Sequence, residues 1–186
     1  MRIVAGKFKG RRLTEPKSND VRPTSDRARE TIFNILQHGC GVSFEGMRAV
    51  DLFAGTGALG LEALSRGASF CLFVEQAAES RALIRTNVEA LGQTGATKIY
   101  RRDATNLGMS SKLGQFDLAL LDPPYGKELG EAALSSLHEG GWFADEAICV
   151  LEERKGVEVS IPTPFEVLDR RELADTQIIF LQVLKT

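Results

Sequence analysis

A glycine-rich turn between a predicted strand and a predicted helix constrains the fold of this chain more than any other feature. The apolar run over residues 48–53 indicates a buried strand, and a turn over residues 54–60 follows it directly. Within that turn Gly55, Gly57 and Gly60 match the pattern G-x-G-x-x-G, in the strand–turn–helix setting that gives the pattern meaning. Taken alone, the glycines indicate only that something approaches the backbone closely.

Asp51, near the end of that strand, narrows the choice of ligand. A carboxylate just before the turn would repel a pyrophosphate but attract a cation. S-adenosylmethionine carries a sulfonium and an ammonium group and no phosphate, so Asp51 favours it over a dinucleotide. The alternative is that Asp51 is a polar strand end or an anchor for the N-terminus of the next helix.

Two further acids stand at the ends of predicted strands. Residues 69–74 indicate the next strand, and Glu75 follows it, roughly 20 residues beyond the glycines, where Rossmann-like folds place a carboxylate on the ribose hydroxyls. Glu75 could instead be a first-turn acid of the helix that follows. Asp103 ends a strand predicted over residues 98–102 and could reach an adenine amino group, although Arg102 beside it offers a plain ion-pair explanation.

The sequence Asp122-Pro123-Pro124-Tyr125 follows residues 116–121, another apolar run that indicates a buried strand. Two consecutive prolines cannot continue the strand, because each lacks a backbone N–H and has a fixed φ. The chain therefore leaves the sheet rigidly, between a carboxylate and an aromatic ring. This arrangement suits a site that holds a planar ring by its exocyclic amine. The alternative is an ordinary strand exit in which the prolines only end the strand.

The remaining chain alternates predicted strands and helices, which indicates a parallel sheet with right-handed crossovers. Thr24 or Ser25 can cap a helix that runs to about residue 38, and other helices are predicted over residues 77–91, 105–113 and 129–138. Further strands are predicted over residues 147–152, 165–173 and 177–184. The last two are separated by too few residues for a crossover, so we expect an antiparallel hairpin.

Ligands of parallel sheets bind beyond the carboxyl ends of the strands. Four acids, spread widely along the chain, all fall at such ends: Asp51, Glu75, Asp103 and Asp122. Their convergence on one edge of the sheet is a prediction that depends on the fold and not on any single motif.

Together these features resemble the S-adenosylmethionine-dependent methyltransferases of Rossmann-like fold, and the proline corner resembles the motif of enzymes that methylate amino nitrogens. The segments MRIVAGKFKGRRL (residues 1–13) and RPTSDRARETIFNIL (residues 22–36) narrow the resemblance to the ribosomal RNA small-subunit methyltransferase D family. That family methylates N2 of one guanine in bacterial 16S ribosomal RNA. The resemblance implies an α/β fold with a seven-stranded, mostly parallel sheet in the order 3-2-1-4-5-7-6. Helices would cover both faces, and a basic N-terminal β-hairpin arm would precede them.

The resemblance also implies the roles of individual residues. The catalytic corner would be Asp122, Pro123, Pro124 and Tyr125. S-adenosylmethionine, which becomes S-adenosylhomocysteine, would be bound by Asp51, Phe53, Ala54, Gly55, Thr56, Gly57, Glu75, Gln76, Asp103, Ala104 and Thr24. The RNA would be contacted by Lys7, Lys9, Arg11, Arg12, Arg22, Arg27 and Arg29.

The charge distribution supports an RNA partner. Residues 1–30 hold nine Lys and Arg against four acids, a net charge of +5, whereas the remainder holds 14 basic and 21 acidic residues, or −7. A basic segment on an acidic body favours a polyanion bound at one end. We expect residues 1–20, the basic arm, to form a hairpin and linker, and residues 21–186 to form the methyltransferase domain. The alternative for the arm is a solvated, flexible terminus.

Composition sets the remaining expectations. A chain of 186 residues with 43% hydrophobic content is large enough for one domain with a full core. No apolar run approaches the length of a membrane span, and the three cysteines have neither paired nor metal-like spacing. These features favour a cytoplasmic protein without a metal, and we expect a monomer. The family resemblance implies that it acts on 16S ribosomal RNA or an assembling small ribosomal subunit. The alternatives are a methyltransferase for DNA amines or protein glutamine, an NAD-dependent oxidoreductase, and a non-catalytic RNA-binding protein.

Overall fold

The computed structural model describes residues 1–18 and 24–185. Seven strands form one sheet: β1 Arg48–Leu52, β2 Phe70–Val74, β3 Thr97–Tyr100, β4 Phe116–Leu121, β5 Phe143–Arg154, β6 Phe165–Leu173 and β7 Thr176–Val183. Their order across the sheet is β3-β2-β1-β4-β5-β7-β6, and β7 runs antiparallel to both β5 and β6, whereas the other pairs are parallel. The predicted order and the antiparallel terminal hairpin are confirmed.

The described residues include four α-helices: α1 Asp26–Asn34 precedes β1, whereas α2 Ala58–Ser65, α3 Ala78–Ala90 and α4 Leu129–Glu139 each connect two strands. Of the two residues predicted to cap the first helix, Thr24 and Ser25, it is Ser25 that does so. Its side chain accepts the N–H of Ala28 at 3.1 Å. The helix continues as a π-helical turn over Ile35–Gly39, so the helical segment reaches the predicted end.

The sheet separates two hydrophobic layers, because successive residues of a strand point to opposite faces. Ala49 faces α1, α2 and α3, whereas Val50 and Leu52 face α4 and the loops that flank it. Strands β1, β2 and β4 are therefore buried on both faces, which explains why they are continuous apolar runs in the sequence.

The described part of the basic arm, residues 1–18, packs on α2 and α3. The fully buried Glu62 carboxylate accepts the backbone N–H groups of Val4 at 3.0 Å and Ala5 at 3.1 Å. A Cβ on Gly6 would lie 1.9 Å from the Ser65 carbonyl oxygen, so the close approach to α2 requires glycine. Ile3 and Leu13 join the core of this face, and burial of each stabilises the packing by about 1.5–3 kcal/mol.

Two local predictions need correction. In the arm, the antiparallel pairing consists of one bridge between Arg2 and Arg12, and the turn covers residues 5–10 instead of residues 5–7. The helix predicted over residues 105–113 is wrong apart from one 3₁₀ turn at Ser111–Leu113. Tertiary partners take the backbone groups that a helix would use, since Leu107 donates its N–H to the Ser136 hydroxyl at 2.8 Å.

Candidate active site

A cleft of about 1080 Å³ lies at the carboxyl ends of the parallel strands. Leu52 at the end of β1 is the register partner of Leu121 at the end of β4, so the residues that follow these two strands lie side by side. The glycine turn and the proline corner therefore share one edge of the sheet. Thirteen of the predicted site residues line the cleft: Thr24, Asp51, Phe53, Ala54, Gly55, Thr56, Glu75, Gln76, Asp103, Asp122, Pro123, Pro124 and Tyr125.

The turn after β1 has an unusual backbone. Gly55 has φ +57° and Gly57 has φ +81°, which glycine adopts without a steric penalty. Phe53 also has a positive φ, +56°, which is uncommon for a residue with a Cβ. Such conformations persist only where the surrounding structure enforces them, and they cluster at functional sites.

Asp51 joins the cleft to the start of α2. Its carboxylate, which is only 1% exposed, accepts the Gly60 N–H at 2.9 Å. Burial raises the pKa of Asp51 well above its usual range; the Gly60 bond opposes this shift, and the nearby Asp122 and Glu75 add to it. The interpretation of Asp51 as an anchor for the next helix is confirmed, and its position in the cleft lining leaves the ligand contact as a prediction.

Glu75 and Asp103 occupy the far side of the cleft. Glu75 accepts the Gly55 N–H at 2.9 Å and the Ala77 N–H at 3.0 Å, so it fixes the glycine turn against the end of β2. Asp103 is exposed, and its Oδ1 accepts both the N–H and the hydroxyl of Thr105, at 2.8 Å and 2.7 Å. Each residue retains the edge position predicted for a ligand contact.

Four predicted site residues lie elsewhere or outside the described chain. Gly57 caps α2 with its Cα hydrogens toward the Phe73 ring, and the Ala104 side chain is buried in the core, so neither lines the cleft. Arg22 lies outside the described residues. The prediction that Arg29 contacts RNA is wrong, because its side chain is fully buried and donates to the carbonyls of Thr24 and Arg2 and to Asp26.

The other predicted RNA-contacting residues are available to solvent. The exposed side chains are Lys7, Lys9, Arg11, Arg12 and Arg27. Arg11 also donates to the Ala90 carbonyl at 2.6 Å, which holds the arm against the end of α3.

At the proline corner, Asp122 belongs to a small polar cluster. The Thr24 hydroxyl lies 3.1 Å from Asp122 Oδ2 and 3.3 Å from Glu152 Oε2, so it bridges the two carboxyl groups. Burial raises the pKa of Asp122, and its interactions with Glu152 and Thr24 oppose that shift.

Sequence reasoning missed three residues around this corner. Glu152 ends the apolar part of β5, and the rule that found Asp51 and Asp122, an acid at the carboxyl end of a buried strand, would also have found it. The missed cations are Arg154 and Lys155, which line the cleft beyond Glu152. The Arg154 guanidinium carbon lies 6.0 Å from the centre of the Tyr125 ring.

Neither a metal cluster nor a membrane span is found in residues 1–18 and 24–185. Within these ranges no three His, Cys, Asp or Glu side chains are grouped so that they could hold a metal ion. Within the same ranges no helix has the length and apolar character needed to cross a membrane.

The sheet order, the glycine turn and the acids at the strand ends define a methyltransferase of Rossmann-like fold. A solved structure of the Escherichia coli protein yhhF superposes with a TM-score of 0.82 at 29% identity, covering 98% of this chain and 97% of that one. A hypothetical protein from Thermus thermophilus gives a TM-score of 0.72 at 25% identity, covering 98% and 99%.

Sequence relatives narrow this class further. The ribosomal RNA small subunit methyltransferase D of Escherichia coli is 37% identical over 164 residues, which cover 88% of this chain and 78% of the relative. The protein of the same name from Haemophilus influenzae is 33% identical over 173 residues, covering 92% and 88%. The chain belongs to the ribosomal RNA small-subunit methyltransferase D family, and the family model described as Conserved hypothetical protein 95 matches residues 1–182. The resemblance stated from the sequence is confirmed.

Proposed function

We propose that this methyltransferase transfers a methyl group from S-adenosylmethionine to the exocyclic N2 amine of a guanine in 16S ribosomal RNA. The observation that carries the proposal is the adjacency of β1 and β4, which brings the glycine turn and the Asp122 corner into one cleft. A donor bound over the turn and an acceptor held at the corner would be neighbours.

The charge of the cleft suits a cationic donor. Three carboxyl groups, those of Asp51, Glu75 and Asp122, line the cleft and would complement a positively charged ligand. We assign the donor to the side of the cleft lined by Phe53, Gly55, Glu75 and Gln76. S-adenosylmethionine, when bound there, supplies the methyl group as an electrophile on a sulfonium centre.

The acceptor side addresses a chemical problem of aromatic amines, whose nitrogen lone pair is delocalised into the ring. Hydrogen bonds from the amine to the Asp122 carboxylate and to the Pro123 carbonyl would favour a more tetrahedral nitrogen with an available lone pair. The rigid proline corner keeps both acceptors in place, and Tyr125 offers a ring on which the base can stack. Asp122 would also stabilise the positive charge that develops on the nitrogen.

The choice of RNA rests on the relatives and on surface charge. Two relatives of high coverage are named as methyltransferases of small-subunit ribosomal RNA. The exposed cations of the arm could neutralise phosphates, and Arg27 at the start of α1 lies beside the acceptor corner. A stacked base cannot enter the cleft, so the target guanine must be extruded or already unpaired. We take 16S ribosomal RNA, alone or in an assembling small subunit, as the partner.

Mapping of methylated nucleotides tests this proposal. Ribosomal RNA from cells that lack the protein should lose one N2-methylguanine in 16S RNA, as detected by mass spectrometry of nuclease fragments. Purified protein with S-adenosylmethionine should restore that nucleotide in RNA or small subunits from the same cells. An unchanged 16S modification pattern, or methyl transfer to DNA or protein instead, would overturn the proposal.

A further inference from the structure

A second cavity, of about 360 Å³, adjoins the cleft on the side of the proline corner. Thr24 and Tyr125 line both cavities, whereas Arg27 and Glu152 line only the second. Its volume is within the range of roughly 300–1,000 Å³ found for small-ligand pockets. The cavity therefore offers a compartment for a flat group beside the main cleft, which Asp122 lines.

Glu152 is placed at the edge of that compartment. Leu121 and Leu151 are register partners, so Asp122 and Glu152 follow them side by side at the ends of β4 and β5. The Glu152 side chain is 3% exposed and meets the Thr24 hydroxyl at 3.3 Å. One threonine hydroxyl thus lies against both carboxyl groups, which limits how far either can move.

Glu153, the next residue along β5, provides a comparison for Glu152 within the same strand. Glu153 is equally buried, but alternation along β5 turns it to the opposite face, where it accepts the N–H groups of Gly126 at 3.0 Å and Arg154 at 2.6 Å. Glu153 is absent from the lining of both cavities. Its carboxylate supports the backbone after Tyr125, so of these two adjacent glutamates it is Glu152 that faces the compartment.

The amino-bearing bases differ in what stands beside the amine. Guanine carries N1–H, a second donor, next to its N2 amine. Adenine and cytosine carry an unprotonated ring nitrogen, an acceptor, next to theirs. Two adjacent carboxyl groups therefore match the guanine edge, whereas an acceptor ring nitrogen would face a carboxylate and repel it.

We propose that Glu152 accepts the N1–H of the target guanine while Asp122 accepts an N2–H, so that Glu152 determines which base is methylated. This inference rests on the proposed function and adds to it the residue that selects the base. Glu172, the other acid lining the cavity, is paired with Lys155 at 3.3 Å.

A base analogue separates this role from a structural one. The substrate is 16S RNA assembled by ligation, with either guanosine or 2-aminopurine riboside at the mapped nucleotide. 2-Aminopurine keeps the amine but lacks the N1 hydrogen. A site that hydrogen-bonds an N–H rejects an analogue without it, so the wild-type kcat/KM should favour guanosine at least ~100-fold. In Glu152→Gln, whose amide can donate to the bare N1, the preference should shrink at least ~10-fold.

The control is Glu153→Gln, which should leave the guanosine to 2-aminopurine ratio at its wild-type value. Cofactor affinity and thermal unfolding show whether each variant is folded. If Glu152→Gln does not fold, the wild-type ratio of kcat/KM for guanosine to kcat/KM for 2-aminopurine still tests the inference. A ratio near one overturns the inference, and a large ratio supports it. An unchanged ratio in folded Glu152→Gln also overturns it. Failure of the wild type to methylate the guanosine RNA, both alone and reconstituted into small subunits, would instead count against the proposed function.

Discussion

The Thr24 hydroxyl lies 3.1 Å from Asp122 Oδ2, which ties the start of α1 to the proline corner across 98 positions of sequence. The Thr24 carbonyl in turn accepts from the buried Arg29 guanidinium at 2.7 Å, and Arg29 also donates to the Arg2 carbonyl. The arm, α1 and the acceptor site are thus linked by one series of hydrogen bonds. We infer that the N-terminal segment positions the site as well as presenting charge.

Arg29→Met tests this structural role. The substitution leaves the carbonyls of Thr24 and Arg2 without their buried donor. Each carbonyl that finds no other donor should destabilise the folded state by about 1–3 kcal/mol. The free energy of unfolding, measured in urea, should fall accordingly. The matched control is Arg27→Met, an exposed residue two positions away whose loss should change stability by less than about 0.5 kcal/mol. Equal stability of the two variants would contradict the assignment.

Asp51→Asn should move stability and cofactor affinity in opposite directions. Because the folded-state pKa of Asp51 is raised, folding favours the neutral carboxyl, and its ionisation costs stability as pH rises above the unfolded pKa of about 3.9. The amide oxygen can still accept the Gly60 N–H but cannot ionise. The variant should therefore gain stability over the wild type with rising pH, by at most ~1.4 kcal/mol per pH unit.

Urea unfolding at a series of pH values between about 4 and 7 measures this difference. Calorimetry at pH 7 should show weaker binding of S-adenosylmethionine to the same variant, by at least ~10-fold or about 1.4 kcal/mol. A stability difference that does not change with pH would mean that Asp51 ionises freely in the folded protein. Unchanged affinity would remove it from the donor site.

Neutralising the arm should reduce the salt dependence of RNA binding. Lys7, Lys9, Arg11 and Arg12 are exposed, and each phosphate that the protein no longer neutralises lowers the slope of log K against log salt by about 0.7–0.9. Replacement of all four by Gln should therefore lower the slope by at most ~3–4, as measured by filter binding at several salt concentrations.

Lys112→Gln provides the control for the arm. This exposed residue precedes β4 and so lies toward the amino ends of the strands, away from the cleft. The variant should keep a slope that differs from the wild-type slope by less than the effect of a single phosphate. A quadruple variant with the wild-type slope would show that the arm does not meet phosphate.

The parts of the fold that the sequence predicts are those whose signals are local. Strands that are buried on both faces appear in the sequence as apolar runs. The glycines and prolines that end these strands can be recognised in the sequence without knowing what they contact. The same local signals place Asp51, Glu75 and Asp122 on one edge, because parallel strands bring their carboxyl ends together. The glycine turn and the proline corner could therefore be predicted as neighbours.

The remaining features depend on contacts between distant segments. Arginine usually lies on the surface, but Arg29 is buried where the arm folds back over α1. There its side chain donates to the Arg2 carbonyl of the arm. In the segment predicted to be helical from residue 105, the Leu107 N–H instead donates to the Ser136 hydroxyl and the Leu107 carbonyl accepts from the Arg102 guanidinium. Glu152 follows the same strand-end rule as Asp122, but its position beside Asp122 depends on the register between β4 and β5, which the sequence alone does not reveal.

The central claim is that the Asp122 corner holds the amine that receives the methyl group, and single-turnover transfer by Asp122→Ala tests it most directly. Radiolabelled methyl transfer from S-adenosylmethionine to 16S RNA should fall at least ~100-fold, while the Kd for S-adenosylmethionine stays within about threefold of the wild type. Asp145→Ala, an exposed acid near the amino end of β5, should transfer at the wild-type rate. Wild-type transfer by Asp122→Ala would contradict the account.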